Sequence, residues 1–146
     1  MVDILHRVGV EAPIEKVYRA VATREGIAGW WTENVSGDDK QGGTLSFRFA
    51  DVGPSMKILE LVPNQRVVWE CVAGAPEWVG TKLSFELKED SGETVLLFSQ
   101  RGWREPVEFM HACSTKWATF LMGLKALVEK GHGTPYPHDP PVSRWF

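Results

Sequence analysis

Cysteine is scarce in this chain: Cys71 and Cys113 are the two among 146 residues, and they form no CxxC pair. That count excludes a disulfide scaffold and a dithiol redox motif, and both thiols are expected to be reduced and buried. Long apolar runs are missing too, since nothing approaches the roughly 20 residues that a membrane-spanning helix needs. The N-terminal Met1-Val2-Asp3-Ile4-Leu5-His6-Arg7 lacks the apolar segment of a signal peptide. A cytoplasmic location without membrane insertion is therefore expected. Positive charge is not in excess: 16 Lys and Arg against 19 Asp and Glu give a formal net charge of -3. Without a basic patch the chain lacks the electrostatic footprint of a nucleic-acid binder.

The motifs of high catalytic specificity are absent as well, with no Gly-rich phosphate loop, HExxH or GxSxG. No catalytic residue, cofactor or metal ligand is assigned. His111 and Cys113 stand two apart, which on a regular helix separates them by about 200° and prevents a Cys–His nucleophile. His132, His138 and Asp139 sit among prolines that offer no scaffold for ligand geometry. Glu60, Glu70, Arg48 and Gln100 fall on strand-like runs. For each, a solvated face or a cross-strand pair is a better reading than a polar group inside the fold.

What is present is a globular composition, 43% hydrophobic and 24% charged, in a length suited to one domain. Aromatics are abundant, with seven Trp and seven Phe. Residues Asp3 to Val10 read as a strand, and Pro13 opens a helix whose Ile14, Val17, Tyr18 and Val21 share one face. Ile27, Trp30 and Trp31 repeat that spacing in a short second helix. A polar connection with a short strand near Asn34 to Ser36 follows. Strand-like runs then cover Thr44 to Ala50, Ser55 to Val62, Arg66 to Ala73, Val79 to Glu89 and Glu93 to Gly102, separated by short turns. Short turns between successive strands predict an antiparallel meander. Leu45, Phe47 and Phe49 oppose Ser46 and Arg48, and Leu83, Phe85 and Leu87 oppose Lys82, Ser84 and Glu86, so one face is wet. Val95 to Phe98 is apolar on both faces and has no readable orientation.

The last helix, from Pro106 to Gly131, carries the strongest signal. Phe109, Met110, Cys113, Trp117, Phe120, Leu121, Leu124, Leu127 and Val128 project within an arc of about 120°. Glu108, His111, Thr115, Thr119, Glu129 and Lys130 lie opposite, with Met122 the large apolar exception. Beyond it, residues 132–146 form a Pro-rich tail, read as extended or disordered, and residues 1–131 form the domain proper. The terminal Arg144-Trp145-Phe146 offers a contact to the domain or to a second copy of the chain, so a homodimer is one candidate assembly.

This order resembles the START-like superfamily, also called SRPBCC, and its helix-grip fold. Ala12-Pro13-Ile14-Glu15-Lys16-Val17-Tyr18 is similar to the motif opening the first helix in the branch related to the activator of the heat-shock chaperone ATPase. Trp30-Trp31, Ile58 to Pro63 running on to Val67-Val68-Trp69, Gly92-Glu93-Thr94, and Lys116-Trp117 with Leu121 and Leu124 agree in register. The resemblance spans nearly all of residues 3 to 130. It implies an α+β fold: a curved antiparallel sheet of six or seven strands around the C-terminal helix, with two short helices after the first strand. It also implies a cavity for an apolar small molecule between helix and sheet, lined by Trp30, Trp31, Phe47, Phe49, Trp69, Phe85, Met110, Cys113, Trp117 and Leu121. Periodicity alone places these residues inside without showing whether a void separates them, so an ordinary core remains open. The leading expectation is a non-catalytic module for an aromatic or lipid-like ligand. A cyclase or hydrolase would need Glu60 or Glu70 to face inward with a shifted pKa, and a chaperone-regulating module would need an exposed protein-binding surface.

Overall fold

Alternating apolar side chains on five of the strands build one wall of the core, and a 23-residue helix supplies the other. The structure, a computed structural model, describes residues 1–144. Trp145 and Phe146, and with them the docking of the terminal tripeptide, lie outside the described residues. Chain order is β1 (Val2–Val10), α1 (Ile14–Ala22), α2 (Arg24–Ala28), β2 (Asn34–Gly37), β3 (Thr44–Arg48), β4 (Ser55–Val62), β5 (Arg66–Ala73), β6 (Lys82–Asp90), β7 (Glu93–Trp103) and α3 (Glu108–Lys130). The strands form a seven-stranded antiparallel sheet in the order β1-β7-β6-β5-β4-β3-β2. This is the helix-grip arrangement, with both short helices following β1.

The sheet is bent where β4 carries an extra residue: Ile58 pairs with Trp69 and Glu60 with Val68, leaving Leu59 over as a bulge. Its concave face presents Leu45, Phe47, Met56, Ile58, Trp69, Phe85 and Phe98, all at most 1% exposed. The doubly apolar stretch of β7 is resolved by register. Phe98 pairs with Phe85 and Gln100 with Leu83, so Leu96, Phe98 and Gln100 face the helix, while Leu97 and Arg101 face out.

Along α3, Cys113, Trp117, Phe120, Leu121 and Leu124 are buried, and His111 and Met122 are exposed, as the spacing predicts. The helix starts at Glu108 rather than Pro106, because Val107 is still extended (φ -70°, ψ 162°) and serves as the N-cap. Its far end is tied to β1 by Lys125, whose Nζ donates to the Gly9 carbonyl and to Glu129. Glu129 in turn accepts from the Glu11 N–H at 2.7 Å. The ammonium of Lys125 beside it holds the Glu129 carboxyl below the usual carboxylate range. Elsewhere α2 ends at Ala28, and Trp30 and Trp31 follow it in a turn, their N–H groups donating to the Ile27 carbonyl.

Of the tail, residues 134–140 are docked, with a turn closed by the His138 N–H on the Pro135 carbonyl. Tyr136 forms a parallel bridge with Thr32, its N–H donating to the Trp31 carbonyl and its own carbonyl accepting from Glu33. Its ring meets Phe49 at 5.4 Å. Lys116 is one charged residue inside the helical stripe: it forms a salt bridge with Asp139, with side-chain exposures of 11% and 8%, and donates to the Pro140 carbonyl. Asp139 and His138 thus turn to Lys116 and to Glu33 respectively, away from each other.

The helix stripe sets a stability prediction. Leu124→Ala removes a side chain that is 1% exposed and should cost about 2–5 kcal/mol, whereas exposed His111→Ala should cost under about 0.5 kcal/mol. Urea denaturation of both variants checks the helical phase, and equal losses would contradict it.

Candidate functional site

Trp31 sits at the middle of the space between helix and sheet. Its ring stacks on Trp30 (6.2 Å) and Trp69 (6.0 Å) and tilts against Phe47 (4.4 Å) and Trp117 (5.0 Å). Phe49 meets its edge at 5.6 Å. Phe85 closes on Trp30 and Trp69, and Phe98 on Trp117 at 4.5 Å. The seven sequence-predicted aromatic residues Trp30, Trp31, Phe47, Phe49, Trp69, Phe85 and Trp117 are therefore brought into one layer of linked ring contacts, and Leu121 is buried in the same core. Cys113 lies toward the N-terminal end of the same stripe, and Met110 is half-buried there.

A polar chain runs into this apolar layer from one end. The Trp117 indole donates to Gln100 Oε1 at 3.0 Å, Gln100 Nε2 donates to Thr81 Oγ1 at 3.1 Å, and the Thr81 hydroxyl donates to the Trp78 carbonyl at 2.7 Å. Gln100 is 0% exposed, so the solvated reading of this residue is corrected: a buried amide must find partners, and it finds them on α3 and on the loop before β6. The run Val95 to Phe98, apolar on both faces, hid the orientation of the strand in the sequence.

That loop, residues 74–81, carries a residue that sequence reasoning missed. Trp78 lays its ring on Trp117, nearly parallel at 16° with centroids 5.9 Å apart. Successive turns at Ala75 to Val79 and Trp78 to Thr81 hold the loop, which is why β6 starts at Lys82 rather than Val79. Arg104 donates to the carbonyls of Pro76 and Val79 at 3.0 and 3.2 Å, latching the loop to the end of β7. Gly74 (φ +127°) and Gly80 (φ +92°) bracket it in backbone conformations that disfavour side chains. A surface cleft of about 400 Å³ opens beside the loop, lined by Val79, Gly80, Gly102 and Arg104 among others. A Trp between Pro76 and Gly80 was the available signal, but the expected strand start at Val79 obscured it.

Burial pushes the Cys113 thiol up to about 12 from 9.0. The nearby Trp78 N–H offsets part of this, desolvation being the larger of the two effects. The carboxylates behave differently. Glu60 accepts from Arg66 on the outer face, which holds its carboxyl below the usual range, and Glu70 shares the face opposite Trp69 and Cys71 with Lys82. Among the described residues, the buried polar residues are Thr32, Thr81, Thr94, Ser99, Gln100 and Lys116, and the Asp139 carboxylate, 8% exposed, is spent on Lys116. Arg48 spends its guanidinium on the carbonyls of Phe47 and Gly53.

A sheet gripping one long helix, with the two layers meeting through aromatic rings, defines the START-like class. The family model described as "Activator of Hsp90 ATPase homolog 1-like protein" matches residues 11–129, and the chain belongs to that family. It is similar to the Aha1 dimer from Colwellia psychrerythraea, known from a solution structure: 41% identity over 91% of this chain and 100% of that one, with a TM-score of 0.84. It is also similar to SSP2350 from Staphylococcus saprophyticus (23% identity, 90% and 95% covered, TM-score 0.75) and to CalU16 from Micromonospora echinospora (19%, 88% and 77%, TM-score 0.73). These two share the fold alone. No curated protein sequence matches the chain. Among the described residues no helix is long and apolar enough to cross a membrane.

The site predicts a sluggish thiol. With a pKa of about 12, Cys113 at pH 8 is thiolate to only about one part in 10⁴, so its alkylation by iodoacetamide should run about 1,000-fold slower than that of a small-molecule thiol of pKa near 9. Trp78→Ala should speed it at least about tenfold, as read by peptide mass spectrometry that separates Cys113 from Cys71.

Proposed function

We propose that this chain is a small-molecule binding module that takes a flat, largely apolar ligand onto the face of Trp117 covered by Trp78. The single observation that carries the reading is the Trp78–Trp117 stack: the ring occupies the position of a planar guest, on a loop bracketed by two positive-φ glycines and latched by one arginine. Loop opening exposes a wall of Met110, Cys113, Trp117 and Leu121, backed across the layer by Phe47, Trp69 and Phe85 and supported behind by Trp30, Trp31 and Phe49. Binding without turnover is the better supported form. A cyclase or hydrolase needs an inward acid or base, and Glu60 and Glu70 face the other way. A resident lid also explains how the interior stays close-packed without ligand, since rings in mutual contact leave no dry void to maintain.

N-phenyl-1-naphthylamine, an uncharged probe whose emission rises in apolar surroundings, tests this. Trp78→Ala should bind it at least about tenfold tighter than the wild type, because the guest no longer competes with the lid. Trp117→Phe, made in the Trp78→Ala background, should weaken binding by about two- to tenfold, the worth of an aromatic stack. If neither the wild type nor Trp78→Ala enhances probe emission up to the solubility limit, the module reading is wrong.

A second reading rests on the comparison rather than on the cavity. The family carries the name of a chaperone-ATPase activator, and the Colwellia relative is a dimer. On this reading the chain is a homodimer that raises the ATPase rate of an Hsp90-type chaperone. A rate unchanged by a tenfold excess of the chain, with a monomeric mass by light scattering, would remove it.

A further inference from the structure

Two buried indole N–H groups, Nε1 of Trp78 and Nε1 of Trp103, have no hydrogen-bond partner. The contrast within the same core is sharp: Trp30 donates to the Ala20 carbonyl at 2.8 Å and Trp117 to Gln100 at 3.0 Å. A donor removed from water without an acceptor forfeits its hydration, so folded chains almost always supply a partner. Both exceptions fall at one end of the molecule. Trp103 is 1% exposed at the end of β7, and its ring meets Phe109 at 6.2 Å. Trp78 meets Trp117, and Phe109, Cys113 and Trp117 follow one another at intervals of four on α3. The two donors therefore flank a single stripe of the helix. The open cleft beside the loop takes in Lys82 and Arg101 as well as Val79, Gly80, Gly102 and Arg104; the last two adjoin Trp103 in sequence, and neither indole lines the cleft itself.

Resting on the lidded module proposed above, we infer that the site recognises a planar ligand bearing an uncharged carbonyl-type oxygen, which accepts from the orphaned Trp103 N–H and, once the lid has moved, from that of Trp78. Charge argues for a neutral acceptor. Of the cations around the cleft, Arg104 is engaged by the carbonyls of Pro76 and Val79 and Arg101 by Asp3, while Lys82 lies on the outer face of the sheet, across from Glu70. The nearest group on the helix is the thiol of Cys113, which burial keeps protonated. Against the two buried indoles a carboxylate or phosphate would lose its hydration, and Lys116, the cation buried along α3, is already held by Asp139. An oxygen lone pair on a flat ring system needs no such partner, and it supplies what both indoles lack.

Fluorene and 9-fluorenone form a matched pair for the test, similar in shape and differing in one carbonyl. Titrated into the full chain under tryptophan emission, fluorenone should bind about tenfold tighter than fluorene, the effect of giving a buried orphan donor its acceptor. In the ¹⁵N-labelled protein the Trp103 indole proton should move downfield with fluorenone and stay in place with fluorene. Trp103→Phe should bring the affinity ratio of the two ligands to within about twofold of one. If that variant does not fold, the assigned indole resonance of the wild type decides alone. Equal affinities, or a fluorenone preference that leaves the Trp103 proton unmoved, would overturn the inference and leave the binding module standing. Failure of both ligands to bind wild type and Trp78→Ala alike would overturn the module itself.

Discussion

Everything in this fold is fitted around the ring of Trp31. It follows α2 by three residues, yet it touches the strands through Phe47 and Trp69 and the long helix through Trp117. One side chain therefore holds three layers in register: short helices, sheet and α3. Interiors are packed at crystal-like density, so a flat group of this size dictates the tilt of each neighbour. The Leu59 bulge bends β4 beside it, and the curvature lets the sheet close on the layer.

The two sides of the helix–sheet seam differ in how they are sealed. On one, the tail straps Phe49 and Phe120 through Tyr136 and a buried ion pair between Lys116 and Asp139, with Lys116 also lying over the Phe120 ring. Buried pairs of this kind specify geometry more than they add stability, since desolvation offsets much of the attraction. On the other side the eight-residue loop 74–81 lies over Trp117 through one ring and one arginine, and leaves two donors unserved. Local opening starts where backbone is exposed and buried contact is thin, so fluctuations concentrate on the Trp78 side.

Sequence reading reached the sheet, both short helices and the phase of α3, because strict alternation and a nine-residue helical stripe are long, redundant signals. It also gathered the aromatic layer, though not whether the rings enclose a space, because periodicity reports which way a residue faces and not how far its neighbours reach. Gln100 was hidden by the run Val95 to Phe98, apolar on both faces. Lys116 was hidden because its partner lies 23 residues on, in a tail without periodicity. Trp78 was missed for a local reason: two consecutive turns place it as a lid, and turns carry no pattern that says what they cover. Family resemblance supplied the helix grip itself, which composition and spacing did not.

The indole stacks have an optical consequence. Trp30, Trp31, Trp69, Trp117 and Trp78 form an unbroken series with centroid separations between 5.0 and 6.2 Å. Chromophores so close do not absorb independently: their transition dipoles couple, and in a chiral arrangement the coupling splits each band into lobes of opposite sign. The far-ultraviolet circular dichroism of this domain is thus a superposition of backbone and exciton signals. Its helix content read from ellipticity alone will be distorted, and the exciton lobes report the geometry of the aromatic layer directly.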